Sequence, residues 1–244
     1  MKLIWNKIKN LKILNTGFIK KIKNKLYKKF VSDRMESRTN KYRKELLILI
    51  SKICSDTRWL INCGSFLRFY RDKTMDNQDI DLFIIREDFD KIKNNFIKEG
   101  FIIKQKFYNN ENKIVEYKLL YKDVDIDVFM IDKDSKGYYV SSTFDDAENL
   151  DKIERKVSKK SLIVTGLGFA TFKRYMPDFE IKEYTYENIK FNGPKNAEKH
   201  LEAFYGKWQV YDPKYDFRYA PKNNLPIKTP NAKGILYYES ITKF

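Results

Sequence analysis

Asp79-Ile80-Asp81-Leu82-Phe83-Ile84-Ile85 is the stretch on which the reading of this chain turns. Its apolar residues form a short run of strand length, and residues i and i+2 of a strand point to the same face. Asp79 and Asp81 therefore project together from one strand end. Two carboxylates that close repel each other unless something neutralises them, and a divalent cation is the common solution. Burying them without a partner would be costly. An Asp-apolar-Asp triplet alone is often only a solvated strand face, so the surrounding sequence has to decide.

Upstream, Trp59 to Cys63 reads as a short buried strand, Gly64-Ser65 as a turn, and Phe66 to Tyr70 as the first turns of a helix. A glycine lets a phosphate approach the backbone, and a helix start offers free N–H donors and a favourable dipole. Downstream, Asp125-Ile126-Asp127-Val128-Phe129 places a second acidic pair on an apolar strand. One of these can complete a carboxylate triad. Three carboxylates on adjacent strands suit one or two magnesium ions, with manganese as the alternative, clamping a phosphate and activating a hydroxyl. Gly-Ser alone is a turn, and Asp125 with Asp127 alone could protect an exposed edge.

The 244 residues are 42% apolar, enough to bury a sizeable core and to exclude general disorder. Cys54 and Cys63 form no CxxC pair, which excludes a disulfide framework and points to free thiols. His200 is the one histidine, so multi-histidine metal sites are excluded. Of the formal charge of +16, ten lysines in residues 1–30 supply +10 with no acidic residue among them, leaving +6 for the rest. The body is only mildly basic, and no nucleic-acid partner is expected.

In residues 1–30, Ile4, Ile8, Leu11, Phe18, Ile22, Leu26 and Phe30 recur at helical spacing among the lysines. They are expected to form a basic amphipathic arm, one helix or two broken near Asn15 to Gly17, that binds an anionic membrane surface; a helix docked on the body is the plainer alternative. A second helix is expected over 32–56, opened by Ser32 or Asp33. Strands are expected at Ile80 to Ile85, Phe101 to Tyr108, Ile114 to Tyr121, Val124 to Ile131 and Tyr138 to Ser142, with a helix from Glu87 to Glu99. Beyond that the chain reads as helical and irregular, with a helix over 195–205. Residues 213–244, rich in Pro, Asn and Lys, read as an extended tail.

Glycine turn, Asp-x-Asp strand and third acidic strand, in that order, resemble the nucleotidyltransferase fold. The run Cys63-Gly64-Ser65-Phe66-Leu67-Arg68-Phe69-Tyr70-Arg71, then Asp79-Ile80-Asp81-Leu82, Arg86-Glu87-Asp88-Phe89-Asp90 and Ile126-Asp127-Val128-Phe129, narrows this to a resemblance to the LicD and fukutin family. Gly193-Pro194-Lys195-Asn196-Ala197-Glu198 and Tyr205-Gly206-Lys207-Trp208 look like that family's closing helix. Where the family has Leu-Gly, Arg68-Phe69 stands here, and Met75 to Gln78 replaces its Pro-Trp-Asp-Asp run.

The resemblance implies an α+β fold, a mixed central sheet flanked by helices, over residues 31–212. It also implies a transferase that moves a phospho-substituted group, phosphocholine or phospho-alditol, from a CDP-linked donor to a sugar hydroxyl of a glycan or lipid-linked glycan, releasing CMP. The alternative is a nucleotidyltransferase that places NMP from an NTP on a protein, small molecule or RNA. In either case Asp79, Asp81 and Asp127 are the expected metal ligands, with Asp127 also a candidate base and Asp125 its alternate. Gly64 and Ser65 are expected to hold donor phosphate, and Arg71 the pyrophosphate through its planar fork, though it could equally be a surface arginine. With the basic arm, this places the protein in the cytoplasm, peripheral on the inner face of the membrane.

Overall fold

The computed structural model describes the backbone of residues 17–177, 179–241 and 244, and the side chains of these apart from 17–32, 34, 38 and 240. The expectations for residues 1–16 lie outside the described residues, as do those for the side chains of 17–30.

The first described element, α1 (Gly17–Ile53), is one continuous helix. No glycine or proline follows Gly17 within it, so nothing interrupts the ladder at Ser32 and Asp33, and the expected boundary between the arm and a second helix is absent. Its last turns bury Leu46, Leu47, Ile50 and Ile53. Earlier turns grip the segment ahead of the acidic strand: Thr39 Oγ1 donates to the Gln78 carbonyl at 2.6 Å and Arg43 Nη2 to that of Asn77 at 3.2 Å.

There follow β1 (Trp59–Ile61), α2 (Cys63–Asp72), β2 (Ile80–Ile85), α3 (Arg86–Lys98), β3 (Ile102–Tyr108), β4 (Ile114–Tyr121), β5 (Val124–Asp134) and β6 (Gly137–Asp145). These agree closely with the expected elements. The remainder does not. In place of irregular helical structure the chain forms β7 (Glu154–Val157), β8 (Ser161–Thr165), β9 (Phe169–Tyr175), β10 (Ile181–Tyr186) and β11 (Ile189–Pro194) before α4 (Ala197–Tyr205). The expected tail contains β12 (Ile227–Thr229) and β13 (Lys233–Ile241).

Eleven strands join one curled, half-barrel sheet in the order β12-β9-β6-β5-β4-β3-β13-β8-β7, with β2 on β5 and β1 on β2; β10 and β11 form a separate hairpin. The pairings are antiparallel among the described residues except β2 with β5, which run parallel. This overturns the expected nucleotidyltransferase fold: among the described residues thirteen strands against four α-helices make a mostly antiparallel β protein, not a mixed sheet flanked by helices. The tail reading fails for the same reason. β13 is an interior strand, paired with β3 on one side and β8 on the other, and Gly234 lets it pass close to Phe107, which a Cβ there would approach to 3.2 Å.

Candidate active site

Three neighbouring strands build the acidic face. β2 and β5 are in parallel register, which sets Asp81 beside Asp127, with the strands about 4.8 Å apart. β4 runs antiparallel to β5 and sets Lys118 opposite Asp127. Strand alternation then sorts the side chains. Ile80, Leu82, Ile84, Tyr117, Leu119, Ile126 and Val128 enter the larger core under α1. Asp81, Glu116, Lys118, Asp125 and Asp127 take the other face, which further along carries the second apolar cluster of Phe83, Ile85, Phe129 and Ile131. A register shift of one residue would have sent residue 127 to the opposite side from 81. Asp79, just ahead of β2, belongs to the same group, since its charge adds to that of Asp127 in pushing up Asp81.

The electrostatics of this face are dominated by crowding. Burial, then the charges of Asp79 and Asp127, hold the Asp81 carboxyl well above the usual carboxylate range. Burial and then Asp127 do the same to Glu116. Asp79 is raised by burial, against the pull of Lys118. Asp127 is pushed up by burial to about 6, although Lys118 opposes the shift. The Lys118 ammonium lies 2.8 Å from Asp127 Oδ1, 3.1 Å from Oδ2 and 4.0 Å from Asp125 Oδ2. Burial would lower its pKa, but these carboxylates reverse that and raise it.

The turn ahead of α2 completes the site. Asn62 donates its backbone N–H to the Asp81 carbonyl at 3.0 Å, tying the helix start to β2. Its side chain does not cap α2, because Oδ1 is taken by His200 Nε2 at 2.9 Å. Burial lowers His200 to about 3 and keeps it neutral, so it orients Asn62 and carries no charge. Cys63 adopts φ +48°; burial and then the Asp81, Asp79 and Asp127 charges raise its thiol well above the ordinary value, which makes it a poor nucleophile. Gly64 lies under the Asn77 amide, whose nitrogen would be 2.8 Å from a Cβ. The same nitrogen donates to Asp79 Oδ1 at 3.0 Å, and Ser65 Oγ donates to the Asp79 carbonyl at 3.2 Å.

The structure thus brings Asp79, Asp81, Asp125 and Asp127 together and sets Gly64 and Ser65 beside them at the helix start. Arg71 is elsewhere. It stands about 12 Å along the helix axis from Cys63, forks onto Asp72 with two bonds of 2.8 Å and donates to the Trp208 carbonyl at 3.2 Å. Its role is structural here. Asp88, from the quoted Arg86 to Asp90 run, is likewise committed to the Arg58 backbone and guanidinium, at 3.0 and 2.8 Å.

Sequence reading missed Glu116, Lys118 and Asn77. A signal existed for the first two, since Glu116 and Lys118 alternate with Val115, Tyr117 and Leu119 along an otherwise apolar strand. Nothing marked Asn77, whose role depends on a loop folding back over a glycine.

The donors present suit a divalent cation. All are carboxylate oxygens, hard ligands matched to Mg2+ or Mn2+. Asp127 Oδ1 is buried and accepts no hydrogen bond, the nearby ammonium lying outside bonding geometry. Among the described residues no three His, Cys, Asp or Glu side chains already surround one point; Lys118 stands against Asp127 instead. An open groove of about 600 Å³ is lined by Thr143 to Asp145, Phe169 and Tyr215 to Arg218, and none of the carboxylates of the acidic face lines it. It abuts the acidic face through Thr143, whose backbone N–H donates to the Glu116 carboxylate. No family model matches the chain, and no curated protein matches it.

Proposed function

We propose that this face is the centre of a metal-dependent transferase that moves a phospho-substituted group, of the phosphocholine or phospho-alditol type, from a CDP-activated donor to a sugar hydroxyl, releasing CMP. The observation that carries the reading is the convergence of Asp79, Asp81 and Asp127 on one sheet face beside the start of α2. The donor class rests on the resemblance of the Cys63 to Arg71, Asp79 to Leu82 and Ile126 to Phe129 runs to the LicD and fukutin family. The fold has no part in it.

Asp79, Asp81 and Asp127 would hold the cation, which when bound supplies charge neutralisation for the transferring phosphoryl group. The helix start at Gly64 and Ser65 faces the same region and favours phosphate oxygens through its dipole. Asp127, which burial holds above the ordinary carboxylate range in the metal-free face, is the candidate base. It takes the proton of the acceptor hydroxyl as the new O–P bond forms and the bond to CMP breaks; Asp125, on the same face, can substitute. No described helix is long and apolar enough to cross a membrane, and peripheral attachment through the lysines of residues 1–30 is part of this proposal.

The test is to incubate the protein with CDP-choline or a CDP-alditol, a sugar acceptor and Mg2+, and to measure CMP. Metal-dependent CMP release that falls by orders of magnitude in a folded Asp79→Asn variant is the expected result. Pyrophosphate released from an NTP, with no CMP from either conjugate, would end the CDP-donor reading in favour of nucleotidyl transfer.

A further inference from the structure

We infer that Lys118 is an internal cation that occupies the divalent cation's place on Asp127 and must yield it when the cation binds. The inference rests on the metal reading above and adds a competitor to it.

β4 sets Lys118 directly across from Asp127, and the side chain spans the gap to put its ammonium within 2.8 Å of Oδ1 and 3.1 Å of Oδ2. Both oxygens of the carboxylate paired in register with Asp81 are thus faced by one positive charge. The pair is not built as a fixed structural bridge. Further along β5, the strand of Asp127, Arg86 grips Asp132 with two parallel bonds of 2.6 Å each, the planar fork that locks a carboxylate in one geometry. Lys118 is a single point charge on a flexible stem, its side chain is 23% exposed, and the closer of its two contacts is not a hydrogen bond. It can therefore leave Asp127 toward solvent without unpacking the core. While it stays, it cancels part of the charge on a face with Asp79, Asp81, Glu116, Asp125 and Asp127. Once a dication arrives, it becomes a like charge at contact range.

The experiment is Mn2+ titration of the full chain, without nucleotide, followed by electron paramagnetic resonance of free Mn2+. The proteins are wild type, Lys118→Met, Asp127→Asn and the double variant. Lys118→Met keeps the stem and removes the charge, and should bind Mn2+ about ten- to a hundredfold more tightly, a modest part of what Coulomb's law allows for charges about 4 Å apart at an effective dielectric near 20. The gain should vanish in the double variant. Lys118→Gln should move in the same direction, which covers a misfolded Met variant. If wild type binds Mn2+ through Asp127 but neither Lys118 variant binds more tightly, the inference is overturned and the metal reading survives. If none of the proteins binds Mn2+, both fall.

Discussion

Replacing Asp127 with Asn should alter how stability depends on pH, and the structure fixes both sign and size. Burial moves this carboxyl from 3.8 to about 6. A carboxyl that binds its proton more tightly folded than unfolded contributes stability that is complete below 3.8 and is lost as pH rises through about 6. The full loss is about two units, or about 3 kcal/mol. Somewhat under half of it, about 1 kcal/mol, falls between pH 5 and 8. His200 slopes the other way over that range: held neutral with a pKa of about 3, it contributes stability that is present above its ordinary 6.5 and is lost as pH falls. A single pH profile therefore mixes two opposed effects, whereas the difference between wild type and Asp127→Asn cancels the histidine. The Lys118 ammonium, raised by its carboxylate partners, stays charged throughout, and its attraction for the Asp127 carboxylate is already contained in that group's pKa of about 6. Thermal unfolding in EDTA at pH 5 and pH 8 should show the variant gaining about 2–4 °C on wild type between the two, and more if Asp81 and Glu116 relax as well. A difference that stays constant, or shifts in wild type's favour as pH rises, would refute the crowded acidic face on which the proposed site depends.

Other expectations follow from single contacts. Gly64→Ala would drive a methyl to 2.8 Å from the Asn77 amide nitrogen and displace the group that orients Asp79, so Mn2+ affinity should fall about ten- to a hundredfold with circular dichroism unchanged. Arg174 is fully buried and donates to the carbonyls of Ala203, Phe204, Phe217 and Ala220, tying the end of α4 to the segment that follows. Arg174→Met strands those acceptors and should cost about 3 kcal/mol in urea unfolding. Deleting residues 1–30, with their ten lysines and no acid, should abolish flotation with anionic liposomes; equal flotation would remove the membrane role.

That the four aspartates share a face was legible because the signal is local. Asp79, Asp81, Asp125 and Asp127 interrupt apolar runs at a spacing of two, and that spacing assigns a face whatever the sheet around it. The fold was not, because the strands of residues 154–194 and the tail carry mixed signals. β7 and β10 are polar along most of their length, and β7 is exposed throughout. The turn Glu187-Asn188 has positive φ at both residues but no glycine to announce it. β13 follows a Pro, Asn and Lys-rich approach whose composition suggests a loose tail. Such strands are specified by their neighbours: Ile235 and Leu236 become interior positions only once β3 and β8 lie on either side.

Lys118 shows where the two kinds of information meet. Its number in the sequence says only that a charge sits on a strand, and a lysine there would ordinarily be a solvated edge. Antiparallel pairing places it opposite Asp127, and parallel pairing places Asp127 beside Asp81. The two registers together turn three unremarkable charges into a buried, mutually dependent group. The functional reading requires no more of the protein than this: β4, β5 and β2 adjacent, in these registers, with α2 beginning at their edge. Those contacts are the same whether the rest of the sheet is flanked by helices or curls into a half-barrel, so the loss of the expected fold leaves the chemistry of the acidic face where the residues themselves put it.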